Sequence, residues 1–239
     1  MKLTIDIGNT SITCGLFSKN KLIKKLNSPS KKSLLNLVKK YIFKKIIISS
    51  VVPDKTKKYI SIFHAYEKNN ILIINHENSN LNLSVTDPKT IGADRLCNIK
   101  AAIKLYKYPT IIVDFGTATT YDTINKNGCF IGGAIAPGIE TSAEHLIKKA
   151  ALLSKTDLQF PKNIIGKDTK ENIQSGIMYG AVDQVEGMIE RIKKTTDQTY
   201  NIVITGGLGK TISPQLTLKH ILDSDLTLKG MLYIDESNT

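Results

Sequence analysis

Short apolar runs broken by polar turns fill the opening of the chain. Lys2–Ile7 reads as a strand ending in Asp6-Ile7-Gly8-Asn9-Thr10. Residues 11–17 read as a second strand and 21–26 as a third, with Ser18-Lys19-Asn20 turning between them. The period then changes. Over 30–41, Leu34, Leu35, Leu37 and Val38 share one face with lysines opposite, which predicts an amphipathic helix opened by Ser30 or Ser33. Residues 45–52 read as a buried strand. Pro53 or Asp54 opens a helix to about Lys68, and 71–75 form a short strand.

The same order of elements returns after a long helix predicted over 93–106. Residues 110–113 form an apolar strand running into Asp114-Phe115-Gly116-Thr117-Ala118, and 119–124 form a second. Asn125-Lys126-Asn127-Gly128 make a turn, 129–136 a third strand, and Pro137 opens a helix to about Leu153. Asp6, Gly8 and Thr10 match Asp114, Gly116 and Ala118 at a constant offset of 108. A long helix over 168–195, a strand over 201–205 and the glycine turn Gly206-Gly207-Leu208-Gly209 complete the second copy. Strands interrupted by helices, with a meander opening each half, predict a mixed sheet flanked by helices in each half. The two acidic turns, at the carboxyl ends of two sheets, are expected to face one cleft.

Composition changes this picture little. Of 239 residues, 41% are hydrophobic and 23% charged, as in folded soluble domains. No apolar run approaches the ~18 residues that cross a bilayer, and Asp6 interrupts the stretch where a signal peptide would need apolar residues. Cys14, Cys97 and Cys129 lie far apart with no Cys-x-x-Cys spacing, so each is expected to be a small buried hydrophobe in a reducing cytoplasm. His64, His76, His145 and His220 show no metal spacing and read as polar surface or cap residues. The net charge of +12 arises entirely in residues 1–120, which hold 20 basic and 7 acidic residues against 13 and 14 in 121–239. Only Arg95 and Arg191 among the 33 basic residues are arginine, and no aromatic platform accompanies the lysines. That argues against nucleic-acid recognition and for solvated faces, or for a field that draws in a small anion such as a nucleotide.

A short turn of Asp, Gly and small hydroxyl residues can offer backbone N–H groups to phosphate while its carboxylate serves Mg²⁺. One Asp-x-Gly turn is common in hairpins. Two copies in duplicated halves suggest a clamp on a nucleotide, of a design other than the absent G-x-x-x-x-G-K-[ST] loop. Asp94 could accept a proton from an alcohol, or could simply cap the helix that begins near Arg95. Arg95 could orient a phosphate or form a surface ion pair. Gly206 and Gly207 could let backbone approach a base or ribose, or merely open a helix.

Taken together, Asp6-Ile7-Gly8-Asn9-Thr10, Gly92-Ala93-Asp94-Arg95, Asp114-Phe115-Gly116-Thr117-Ala118-Thr119, Gly132-Gly133-Ala134-Ile135-Ala136-Pro137-Gly138, Thr169 with Ile173-Gln174-Ser175-Gly176, and Thr205-Gly206-Gly207 resemble the motif series of type III pantothenate kinases, in order and across nearly the whole chain. The resemblance implies a duplicated ribonuclease-H-like α/β fold of the actin, acetate and sugar kinase and heat-shock ATPase superfamily. It implies a first half over 1–106, with the phosphate loop and substrate motif, and a second over 107–239, with cation and nucleotide motifs. It further implies a cytoplasmic homodimer that phosphorylates pantothenate with ATP and Mg²⁺ in the first step of coenzyme A synthesis.

Carried onto this chain, Asp6, Ile7, Gly8, Asn9, Thr10, Ser11, Ile12 and Thr13 match the ATP-phosphate segment, and Thr117 matches a further ATP contact; on its own chemistry the Asp6 carboxylate can also serve Mg²⁺. Asp114 matches the ligand of a potassium or ammonium ion. Gly92, Ala93, Asp94 and Arg95 match the pantothenate motif, with Asp94 as general base, and Thr169 matches another substrate contact. Val85 stands where the family usually has a substrate-contacting Tyr. A kinase for another small alcohol on this fold, and a non-catalytic regulator that binds nucleic acid, are the alternatives. The three carboxylates Asp6, Asp94 and Asp114 argue against the regulator.

Overall fold

Two five-stranded sheets organise the chain in its computed structural model, which describes residues 1–64, 70–150, 153 and 156–238. The first sheet holds β1 (Lys2–Ile7), β2 (Ile12–Ser18), β3 (Lys21–Asn27), β4 (Lys45–Ser50) and β5 (Ile71–Ile73) in the order β3-β2-β1-β4-β5. β1, β2 and β3 form an antiparallel meander, and β4 and β5 continue parallel to β1. The second sheet holds β6 (Thr110–Phe115), β7 (Ala118–Ile124), β8 (Phe130–Pro137), β9 (Asn201–Gly206) and β10 (Ile221–Leu222). Its order β8-β7-β6-β9-β10 repeats the first strand for strand, with the same senses. The duplication read from the two acidic turns is thus a duplication of topology.

Alternation along β1 and β4 decides what each face meets. Leu3, Ile5, Ile7, Ile46 and Ile48 form a core with Leu34, Leu37 and Val38 of α1 (Lys31–Lys40) and Phe63 of α2 (Pro53–His64). The opposite face carries Thr4, Asp6, Ile47 and Ser49. There α3 (Ala93–Leu105) packs on β4, and the last helix, α7 (Leu226–Glu236), packs on α3, β1 and β4. In the second sheet Ile111, Val113, Phe115, Tyr121, Ile202 and Ile204 pack on Met178, Val182, Val185 and Ile189 of α5 (Thr169–Thr196). Two shorter helices, α4 (Ile139–Lys149) and α6 (Gly209–Ile212), complete that half. No helix among the described residues is long and apolar enough to cross a membrane.

The chain divides into two compact units, 1–106 with 225–239, and 107–224. The first unit's opening stretch ends at Tyr106, and residues 225–239 join the same unit. Lys2 and Lys45 reach Asp235 at 2.9 and 3.9 Å, Lys25 reaches Asp225 at 2.7 Å, and Thr227 Oγ1 donates to Asn98 Oδ1 at 2.8 Å.

Several expected ends move. Pro137 is the last residue of edge strand β8, where a missing N–H costs no ladder bond, and Gly138 caps α4 instead. α4 stops at Lys149 because Ala150 turns extended, so the helix expected to Leu153 is shorter. β5 ends at Ile73, since Asn75 folds its side chain onto the N–H groups of Glu77 and Asn78. The end of the helix expected at Lys68, and the His64 side chain, lie outside the described residues. All three cysteines are buried and free.

Candidate active site

The first acidic turn sits where β1 leaves the sheet. Asp6 pairs in register with Thr13 on β2 and Ser49 on β4, and Ser49 Oγ donates to Asp6 Oδ1 at 2.8 Å. Gly8 N–H bonds the Ser11 carbonyl at 2.9 Å and closes a tight turn that exposes Asn9, Thr10 and Ser11. Ile12 and Thr13 are half-buried, and Ile7 is buried in the core, so Ile7 can serve a ligand only through its backbone. From α2, Lys55 Nζ donates to the Asn9 and Gly8 carbonyls at 2.7 and 3.3 Å, which brings a positive charge against the turn.

The substrate motif opens α3 beside it. Gly92 is the N-cap, Ala93 is the first helical residue and is buried, and Asp94 follows inside the first turn. A Cβ at position 92 would lie 2.5 Å from Asp94 Oδ1 and 3.2 Å from Val51 Cγ1, so glycine is what lets the carboxylate fold back over the helix start. Asp94 is therefore not the N-cap, although its Oδ1 accepts the Arg95 N–H at 2.8 Å. Burial pushes the Asp94 carboxyl above the usual aspartate range, while the Arg95 N–H and guanidinium pull it back. The buried Cys97, one turn further along α3, feels both Asp6 and Asp94, and its thiol is held well above the ordinary range by burial first and these carboxylates second. The two carboxylates thus share one neighbourhood. Val85 is half-buried in the extended stretch before the short turn Pro88–Thr90.

The second unit builds the second turn. Asp114 pairs with Thr120 on β7 and Thr205 on β9, and the Gly116 N–H bonds the Ala118 carbonyl at 3.1 Å. Gly206, with φ +91, follows Thr205, and a Cβ there would lie 2.5 Å from Asp114 Oδ1. This glycine is required by its positive φ and by the Phe115 backbone, whose nitrogen lies 2.4 Å from where a Cβ would sit, rather than by a helix start. Thr117 is exposed, and its carbonyl accepts from Gly138 N–H at 3.1 Å and Thr141 Oγ1 at 2.7 Å. The Gly132–Gly138 motif therefore buttresses the turn from behind. Thr169 is exposed as the first residue of α5, behind its N-cap Asp168.

Among the described residues no cluster of three or more His, Cys, Asp or Glu exists to cage a metal. The donor set suits Mg²⁺ all the same, because that ion is commonly held by one or two carboxylates with phosphate oxygens and water. The cradle at Asp114, walled by a glycine, suits a weakly hydrated monovalent cation.

A family model described as type III pantothenate kinase matches residues 2–191. The chain belongs to the type III pantothenate kinase family. It is accordingly an ATP-dependent kinase of pantothenate, an enzyme of coenzyme A synthesis, as the motif series led us to expect. A type III pantothenate kinase from Bacillus cytotoxicus is 37% identical over 253 residues, covering 100% of this chain and 97% of the relative. Among solved structures, a Baf family transcriptional activator from Campylobacter jejuni is 22% identical with a TM-score of 0.65, covering 99% of this chain and 98% of that one. An activator of 2-hydroxyisocaproyl-CoA dehydratase from Clostridium difficile with bound ADPNP is 12% identical with a TM-score of 0.57, covering 99% and 95%. At these identities both likenesses show fold alone. The fold is the duplicated ribonuclease-H-like one, as expected.

Three residues that this pantothenate kinase family member sets against the candidate site, Lys55, Ser49 and Cys97, carry little such signal in the sequence. Lys55 is one lysine among many in residues 1–120. Ser49 and Cys97 become visible only when β4 is laid parallel to β1 and α3 is laid over both. The polar pair Ser49-Ser50, ending an apolar strand, was the one available signal.

Proposed function

We propose that the first unit carries the phosphoryl transfer, with Asp94 as the base that takes the proton of pantothenate's primary alcohol. The alcohol oxygen forms the new bond to the γ-phosphorus of ATP, the bond to the β-phosphate oxygen breaks, and ADP leaves. The proton ends on an Asp94 carboxylate oxygen. The observation that carries the assignment is the placement of this carboxylate: Gly92, not Asp94, caps α3, and the missing Cβ at Gly92 lets Asp94 fold back over the helix start, where burial also raises its proton affinity. Arg95 and the N-terminal end of α3 place positive charge where the phosphoryl group would pass.

The turn from Asp6 to Thr13 offers backbone N–H groups to the ATP phosphates, and Lys55 steadies its carbonyls. Mg²⁺, when bound, neutralises phosphate charge, and Asp6 is the residue that would hold it. Asp114 would hold a potassium or ammonium ion, with Thr117 a further ATP contact. Gly92, Ala93, Arg95, Thr169 and Val85 are the pantothenate-facing positions. Val85, smaller than Tyr and without a hydroxyl, leaves one polar contact to other groups. The same reading makes the enzyme a cytoplasmic homodimer.

Phosphorus NMR of a mixture of enzyme, ATP, Mg²⁺ and pantothenate tests the assignment. A phosphomonoester of pantothenate should form with the native enzyme. With Asp94→Asn it should form ~10²–10⁴-fold more slowly, although ATP still binds. Product formation by Asp94→Asn at the native rate would reassign the base.

A further inference from the structure

Beyond the motif residues, the geometry points to a buried support for Asp6. Ser49 is fully buried, stands opposite Asp6 in the parallel β1–β4 register, and donates to its Oδ1 at 2.8 Å. An aspartate's terminal torsion is broad and roughly two-fold, so backbone placement alone does not fix the plane of its carboxylate. A donor held rigid in a strand does. We propose that Ser49, backed by Cys97, is the positioning residue that sets the Asp6 carboxylate for the Mg²⁺-bound phosphates. The proposal rests on the reading of Asp6 as the Mg²⁺ and phosphate residue.

The chemistry of the hydroxyl fixes the direction of the bond to Asp6. A serine hydroxyl has one proton, and Ser49 gives it to Asp6, which leaves the oxygen's lone pairs as acceptors. The Cys97 thiol bonds Ser49 and is fully buried. Burial beside two carboxylates holds that thiol well above its ordinary range, while the Ser49 hydroxyl it faces donates to Asp6. Cys97 and Asp94 lie three residues apart on α3 and therefore on one side of it. Ser49 thus stands between the strand that carries the Mg²⁺ carboxylate and the helix that carries Cys97 and Asp94.

Calorimetric titration of the full-length protein with Mg²⁺·ATP and with metal-free ATP tests this, alongside the Mg²⁺ dependence of turnover. Removing a buried partner of a metal-holding carboxylate typically weakens metal affinity ~10–100-fold. Ser49→Ala should therefore weaken Mg²⁺·ATP binding, and raise the Mg²⁺ needed for half-maximal rate, by about that factor. Metal-free ATP binding and the KM for pantothenate should stay near native. Cys97→Ala should move the same two quantities in the same direction by less, and it serves as the second variant if Ser49→Ala does not fold. An Asp6→Asn control separates the two failures. If Asp6→Asn leaves Mg²⁺·ATP binding intact, the reading of Asp6 itself is wrong. If Asp6→Asn weakens it but neither Ser49→Ala nor Cys97→Ala does, Ser49 is structural only and the inference is overturned.

Discussion

Gly230 lies far from Asp94 in sequence, yet the structure makes it a test of how the proposed base is placed. α7 crosses α3 so closely that a Cβ at Gly230 would lie 1.8 Å from the Cys97 carbonyl oxygen, a separation real Cβ atoms keep beyond 3.0 Å. Gly230→Ala must therefore move the two helices apart by on the order of 1 Å. Alanine's better helix propensity contributes about 1 kcal/mol, and overpacking a tight contact costs about 1–3 kcal/mol, so the net loss of stability is small. Function should suffer more. Displacing a reacting group by about 1 Å typically costs ~10²-fold in rate, and α3 carries Asp94 and Arg95 one turn before the point of collision. The assay is kcat/KM for pantothenate beside a thermal melt, with Gly187→Ala on α5 as control, since a Cβ there meets nothing within 4 Å. The control should be neutral or slightly stabilised with native turnover. Gly230→Ala should lose turnover well beyond its small loss in Tm. Native turnover at a lowered Tm would mean that α7 alone yields, and that α3 is not positioned by it.

Three further outcomes follow from named groups. Asp94→Asn should lower kcat by ~10²–10⁴-fold. Because folding raises the Asp94 pKa, its contribution to stability is present in acid and is lost as pH rises through the folded value. Differential scanning calorimetry of Asp94→Asn should thus show an equal or higher Tm at neutral pH, a difference that closes in acid. The native acid limb of kcat/KM should sit above the usual aspartate range, and a variant with lowered Tm and normal turnover would make Asp94 a structural residue. Lys55→Met removes the ammonium from the Asn9 and Gly8 carbonyls, so the KM for ATP should rise about fivefold, about 1 kcal/mol, with kcat less affected; an unchanged KM would refute the bracing role. No Lys or Arg lies between Asp114 and Ile124, so potassium or ammonium should raise the rate over sodium at fixed ionic strength. Asp114→Ala should flatten that response, and equal native rates in all salts would remove the cation from the account.

Local chemistry was legible where it repeats. The acidic turns at Asp6 and Asp114 and the meanders after them announce both sheets, because period-two alternation and turn residues act over a few positions. Gly92 and Asp94 were legible as a unit, but that Gly92 rather than Asp94 caps α3 is visible only in the structure. Longer-range matters were not legible. α7 presents Leu226, Leu228, Met231, Leu232 and Ile234, all buried, without a clean polar stripe, since it is packed between α3 and a sheet. Nothing local says that Asp235 answers Lys2 and Lys45. Pro137 misled for a related reason. Proline suits a helix start and the end of an edge strand equally, and only the pairing of β8 on one side separates them.

The central claim is that this chain couples ATP cleavage to pantothenate. A coupled assay of ADP release, run with and without pantothenate and with and without Mg²⁺, tests it most directly. The account predicts turnover only when ATP, Mg²⁺ and pantothenate are all present, one ADP for each pantothenate consumed. ADP release that ignores pantothenate, or that appears only with a different alcohol, would contradict it.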